Sequence, residues 1–204
     1  MRHILLLSVT VLSLGTGALA DHPGERLNAV MAEKEAGFEA VSRPGPEIDL
    51  VSEDGEAIGL KTFAGRILVL ALRPATCAES CDAQQAKLQE TVTALNASPM
   101  RDMVSFLTVT ETPEGTYAPE AENWAIARPK DDLAPLQNQL AAASTRPGDG
   151  PMLHLFDRQG QHVAIFHGTN FKPLNLLMHI NGLTNAHPHP EPEGFLAKLR
   201  GWFE

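Results

Sequence analysis

Hydrophobic and polar positions along the chain alternate between short unbroken apolar runs and longer stretches with helical spacing. The first run, Ile4 to Leu14, follows Arg2 and His3 and gives way to small residues ending Ala18-Leu19-Ala20. A basic start, a short apolar middle and an A-x-A exit form a cleavable secretory signal. The run is shorter than the roughly 20 apolar residues a bilayer span needs. Apolar residues at helical spacing (Leu27, Val30, Met31, Phe38) predict a short amphipathic helix over Leu27 to Glu39. Arg43-Pro44-Gly45-Pro46 breaks it and opens the main domain. Ile48 to Val51 and Ala57 to Leu60, around Asp54-Gly55, predict a hairpin.

Ile67 to Leu72 is continuously apolar, as suits a strand buried on both faces of a sheet. Asp82 to Asn96 lacks Gly and Pro and is rich in helix formers, so it predicts a helix. Met103 to Thr110 repeats the buried-strand pattern, and Glu111 to Ala121 is irregular. Leu133 to Ala143 predicts a helix with Pro135 in its first turn. Met152 to Phe156 and His162 to His167 pair across an Asp157-Arg158-Gln159-Gly160 turn. Pro173 to Leu183 predicts the next helix. The tail His187-Pro188-His189-Pro190 is expected to be extended, and Phe195 to Phe203 is expected as a last short helix. This order of elements describes an α/β domain of thioredoxin-like fold with an N-terminal hairpin extension. Its expected parts are a signal peptide (1–20), a helical extension (21–43), the thioredoxin-like domain (44–185) and a His/Pro tail with a short helix (186–204).

Charge narrows the partners. The full chain carries a formal charge of −9, and cleavage removes only Arg2 among charged residues. An acidic surface argues against nucleic acid or an anionic membrane. The expectation is an exported, periplasmic protein with no stable membrane span after cleavage.

Both cysteines, Cys77 and Cys81, lie within five residues of each other. In an oxidising compartment such a pair is a local disulfide, a redox couple or a soft-metal clamp. Cys77 follows a buried strand and Cys81 enters the next helix, where unpaired N–H groups stabilise a thiolate. Residues four apart on a helix share a face, so two sulfurs there can close a bridge or converge on Cu(I). Glu79, between them, reads as a solvated loop residue. An inert bridge remains an alternative, although so small a loop removes little unfolded-state entropy.

Pro46-Glu47-Ile48-Asp49-Leu50, Asp54-Gly55 and Phe63-Ala64-Gly65-Arg66 resemble the opening of periplasmic thioredoxin-like reductases. Gly150-Pro151-Met152-Leu153-His154-Leu155-Phe156 resembles their later segment. The C-x3-C spacing of Cys77 and Cys81, Phe166-His167-Gly168 and the His-Pro tail are similar to the Sco/SenC/PrrC family. That resemblance covers about residues 44 to 190. It implies copper delivery to, or thiol maintenance of, the copper centre of cytochrome c oxidase, with an oxidase subunit or another periplasmic thiol protein as partner. It also implies that Pro151 is a cis-proline facing the cysteines. The family's distal histidine ligand falls on Asp149 here, and Ala78 and Asp82 replace its usual prolines. A carboxylate is a poor ligand for Cu(I). His154, three residues past Pro151, is the substitute ligand beside Cys77 and Cys81, or else a hydrogen-bonded core histidine. His162 is expected to face water, and His167 to be either structural or a group that supports the site from behind. His22, His187 and His189 are further, weaker copper donors. Two other readings stay open: a thiol–disulfide oxidoreductase without stable metal, and a redox sensor that has lost the metal site.

Overall fold

The computed structural model describes residues 23–111, 121–146, 148 and 150–186. The signal segment, His22, Asp149 and the tail with His187 and His189 lie outside them. One eight-stranded sheet organises the described chain, in the order β1-β8-β7-β4-β5-β6-β2-β3. Its centre is β4 (Ile67–Arg73) and β5 (Val104–Thr110), paired in parallel from Ile67↔Val104 to Arg73↔Thr110. Both strands are buried along almost their whole length because helices cover both faces. The crossover between them is α2 (Ala78–Asn96), which places the cysteines at the C-terminal end of β4. On the other side of β4 lies β7 (Met152–Phe156), antiparallel, and beyond it β8 (Gln161–His167). The β7–β8 turn uses Gly160 at φ 76, a left-handed conformation suited to glycine.

Two cores follow from strand alternation. Ile67, Val69 and Ala71 face Leu88, Val92 and Leu95 of α2, with Leu176 and Ile180 of α4 (Pro173–Asn185). Leu68, Leu70 and Leu72 face the opposite way, toward Leu133, Leu136 and Leu140 around α3 (Ala134–Ala141). The result is a helix–sheet–helix sandwich of thioredoxin-like class.

The two ends of the sheet depart from the sequence expectation. The first helix, α1 (Pro23–Lys34), stops four residues before Phe38, and Phe38–Pro44 is strand β1, paired antiparallel with β8. The sheet therefore begins inside the segment assigned to a helical extension, and Arg43-Pro44 ends a strand. Gly37 permits the change of direction: a Cβ there would lie 2.9 Å from the His167 carbonyl oxygen. Phe38 is buried, which satisfies a helical and a strand pattern equally. Arg146 reaches this edge and donates to the carbonyls of Ala36 and Phe38, each at 2.6 Å. At the other end, β2 (Leu50–Ser52) and β3 (Ala57–Ile58) form the expected hairpin. It docks on β6 (Trp124–Pro129), a strand the sequence reading lacked. β6 shows only a short mixed alternation, and its strand character comes from pairing with β5 and β2.

Candidate functional site

β4 leaves the sheet at Arg73, and Pro74-Ala75-Thr76 turns the chain into α2. Cys77 N donates to the Pro74 carbonyl at 3.0 Å, and Cys81 N donates to Cys77 O at 2.9 Å, the first helical bond. Cys77 is thus the N-cap residue of α2, beside the helix's free N–H groups and positive dipole end. Cys77 and Cys81 form a disulfide with a Cα–Cα distance of 5.5 Å.

The two sulfurs occupy unlike environments. Cys77 is half-buried and lines a cleft, with Ser80 Oγ 3.6 Å from its sulfur. Cys81 is 1 % exposed, its sulfur 3.7 Å from the Leu72 carbonyl oxygen. An incoming thiolate can reach Cys77 and not Cys81. Ala75 N donates to Glu111 at 2.8 Å, and Arg73 pairs with Asp82 at 2.6 Å; these contacts hold the turn on both sides of the bridge. Glu79 is exposed in the first turn of α2, where a carboxylate suits the dipole.

Across the cleft from Cys77 lie Gly150, Pro151 and Met152. Gly168 N donates to the Pro151 carbonyl at 2.7 Å, tying this segment to the end of β8. No cis peptide bond occurs among the described residues, so Pro151 is trans where the resemblance implied cis. Pro151 nevertheless forms a wall of the cysteine cleft.

His154 also lines that cleft, on the sheet face that carries Leu70, its β4 partner. It is 1 % exposed, and its Nδ1 is 3.2 Å from His162 Nε2. Burial, then the neighbouring His162 and His167, lowers its pKa to about 3, so it is a neutral, hydrogen-bonded core histidine. Its partner His162 is also 1 % exposed, contrary to the expectation that it faces water. The Phe156 ring stacks on it at 4.8 Å. Burial and Arg43 hold its pKa at about 4, against the opposing pull of its Ala164 hydrogen bond and Glu39.

No group of three His, Cys, Asp or Glu among the described residues is arranged to hold a metal ion. Cys77, Cys81 and His154 are therefore not gathered as a ligand set. Among the His, Cys, Asp and Glu side chains here, the two cysteine sulfurs have the softness that suits Cu(I), and they are free to act as ligands only when the bridge is reduced.

Of its two expected roles, His167 takes the structural one. Its Nε2 lies 2.8 Å from Glu39, a buried carboxylate that also accepts from Ser144 Oγ at 2.6 Å and from Thr145 N and Oγ1, both at 2.7 Å. Burial pushes the Glu39 pKa up, but these hydrogen bonds prevail and hold it at about 2. This knot fastens the loop after α3 to β1 and β8. Sequence reasoning missed it, because Glu39 lies more than 100 residues from each of its partners. It also missed Gln84 and Gln85, buried polar residues in the apolar stripe of α2. That signal was legible, since the spacing from Cys81 to Leu88 and Val92 passes through Gln85.

No protein-family model and no curated protein sequence matches the chain. Solved structures do. BsSco, a member of the Sco family of cytochrome c oxidase assembly proteins in which a disulfide switch was identified, aligns at TM-score 0.57 and 12 % identity, covering 72 % of this chain and 96 % of its own. Yeast Sco1 with copper bound aligns at TM-score 0.55 and 15 % identity, covering 73 % and 97 %. A thiol:disulfide interchange protein from Bacteroides sp. aligns at TM-score 0.50 and 16 % identity, covering 77 % and 96 %. At these identities the likeness speaks for architecture: the chain has a Sco-like fold of the thioredoxin-like α/β class.

Proposed function

We propose that this chain is an exported Sco-like protein that works by reversible dithiol–disulfide chemistry at Cys77 and Cys81, serving the copper centre of cytochrome c oxidase. The observation that carries the redox reading is the asymmetry of the bridge: one sulfur opens on a cleft at a helix N-terminus and the other is buried behind it. In the reduced protein, the Cys77 thiolate attacks a client disulfide, forms a mixed disulfide and releases one client thiolate. The Cys81 thiolate then attacks Cys77 Sγ and expels the second. The client gains two electrons and the Cys77–Cys81 bridge re-forms. A structural bridge has no use for such an approach.

The placement at cytochrome c oxidase rests on the sequence resemblance and on the likeness to BsSco. Export rests on the N-terminal signal pattern. A processed N-terminus at Asp21 supports export, and a retained Met1 argues against it.

Equilibration with glutathione tests the redox reading. The expected reduction potential lies above about −300 mV, whereas a bridge that resists reduction there behaves as structural.

Copper delivery is a second reading, favoured by the two soft sulfurs at one helix start and by the likeness to copper-bound yeast Sco1. Here copper is cargo, taken up by the reduced pair and handed on. Titrating the reduced protein with Cu(I) should give one tight equivalent that Cys77→Ser and Cys81→Ser each abolish. Binding unchanged in both variants overturns it.

A further inference from the structure

α2 turns a continuous face toward the sheet, and Cys81, Leu88, Val92 and Leu95 on it are each at most 1 % exposed. Gln85 shares that face at 4 % exposed, one turn beyond Cys81. A buried primary amide is costly unless its acceptor and donors are matched. Gln85 is matched at one end only.

Its orientation is fixed by a directional chain. Trp124 Nε1–H can only donate, and it donates to Thr108 Oγ1 at 3.0 Å. The Thr108 hydroxyl in turn donates to Gln85 Oε1 at 3.0 Å. Oε1 therefore faces Thr108, and Nε2 is directed elsewhere. Nε2 is buried and has no hydrogen-bond partner among the described residues. Residues four apart on a helix have Cβ atoms about 5–6 Å apart, and helical side chains lean toward the N-terminus. The neighbour in that direction is Cys81.

Reduction changes what Cys81 can accept. Two glutathione thiols supply two electrons and two protons, leave as glutathione disulfide, and convert the bridge into two thiols. The freed Cys81 sulfur is a better acceptor than a disulfide sulfur, above all as the thiolate. Its other polar contact, the Leu72 carbonyl oxygen, has no proton to give.

We propose that Gln85 Nε2–H is the internal hydrogen-bond donor to the Cys81 sulfur in the reduced protein. The chain Trp124→Thr108→Gln85 ends on an unmatched donor in the disulfide form and on sulfur in the dithiol form. This inference rests on the redox reading of the pair. Because reduction removes a buried mismatch, Gln85 biases the couple toward the dithiol. It also steadies the Cys81 thiolate while that thiolate attacks Cys77 Sγ and displaces a bound client thiolate.

The test uses the isotope-labelled full chain, reduced with a phosphine. The Gln85 side-chain amide protons should move downfield on reduction, and Cys81→Ala should remove the shift. Gln85→Met should move the glutathione equilibrium about tenfold toward the disulfide, or about 30 mV to more negative potential. If Gln85→Met fails to fold, Gln85→Glu keeps the acceptor for Thr108 and should shift the equilibrium in the same direction. A Gln85 amide that does not respond to reduction overturns the proposal, as does a folded Gln85 variant within twofold of wild type. A wild-type protein that ignores glutathione while phosphine reduction moves the amide sinks the oxidoreductase reading and leaves the donor assignment standing.

Discussion

The Glu39 knot and the polar strip beneath the disulfide are both buried, yet they differ in whether their hydrogen bonds close. At Glu39 the carboxylate meets Ser144, both polar groups of Thr145, and His167. Along α2 and α4, by contrast, Gln84 Oε1, Gln85 Nε2 and both ring nitrogens of His179 lack partners among the described residues. Closed networks fix architecture, because removing any member strands the rest. Open ones leave atoms that respond when their surroundings change charge or oxidation state. The first kind here holds the loop leading to Pro151, and one member of the second kind lies a turn from the redox pair.

Breaking the closed network should have the largest effect. Glu39→Ala leaves His167, Ser144 and Thr145 facing a hole and should cost about 3 kcal/mol in urea unfolding. A loss below about 1 kcal/mol would mean that water replaces the carboxylate and that the knot is not structural.

Reducing the bridge comes next. A loop this short should contribute about 2 kcal/mol at most through unfolded-state entropy. Comparing oxidised and reduced wild type by urea midpoint measures it, and a larger loss would make the bridge a staple first and a redox couple second.

The smallest effect should carry the opposite sign. His179 is fully buried between Phe38 and Phe166, with ring centroids 4.9 Å and 5.9 Å away, and burial lowers its pKa to about 4. His179→Leu should stabilise the fold by about 1 kcal/mol at pH 5, since it removes unmatched buried nitrogens. Destabilisation there would point to a bound water that closes this site too.

The pH profile separates the two regions further. His154, His162 and His179 stay neutral in the fold down to about 3, 4 and 4, whereas an unfolded imidazole takes a proton near 6.5. Their contribution is complete above 6.5 and drains as pH falls toward 4, and for His154 toward 3. Glu39, held at about 2 against an ordinary 4.5, adds its own loss between 4.5 and 2. His179→Leu should flatten the upper window and leave the lower one unchanged, as urea midpoints taken across both windows would show.

Legibility in the sequence followed the range of the interactions. β4, β5, the β7–β8 hairpin, α2 and α4 declare themselves through local pattern, and so do Cys77 and Cys81. β1 does not, because Phe38 fits two periodicities and only its distant partner β8 decides between them. β6 is too short and mixed to stand without β5. Pro151 was placed in the cleft through resemblance, but its peptide geometry was not. For His154 two readings competed, and its burial and contact with His162 fit the core histidine. That contact crosses a hairpin whose register no single-residue property encodes.

The Arg146 guanidinium on the carbonyls of Ala36 and Phe38 has a consequence for how copies of this protein meet. β1 is the sheet's longer outer strand, and bare carbonyls on it would template a strand from another molecule. A charged group already occupies one of those acceptors, at Phe38, and the Ala36 carbonyl just before the strand, and the opposite outer strand, β3, is only two residues long. Growth of the sheet from molecule to molecule is thereby discouraged at both margins.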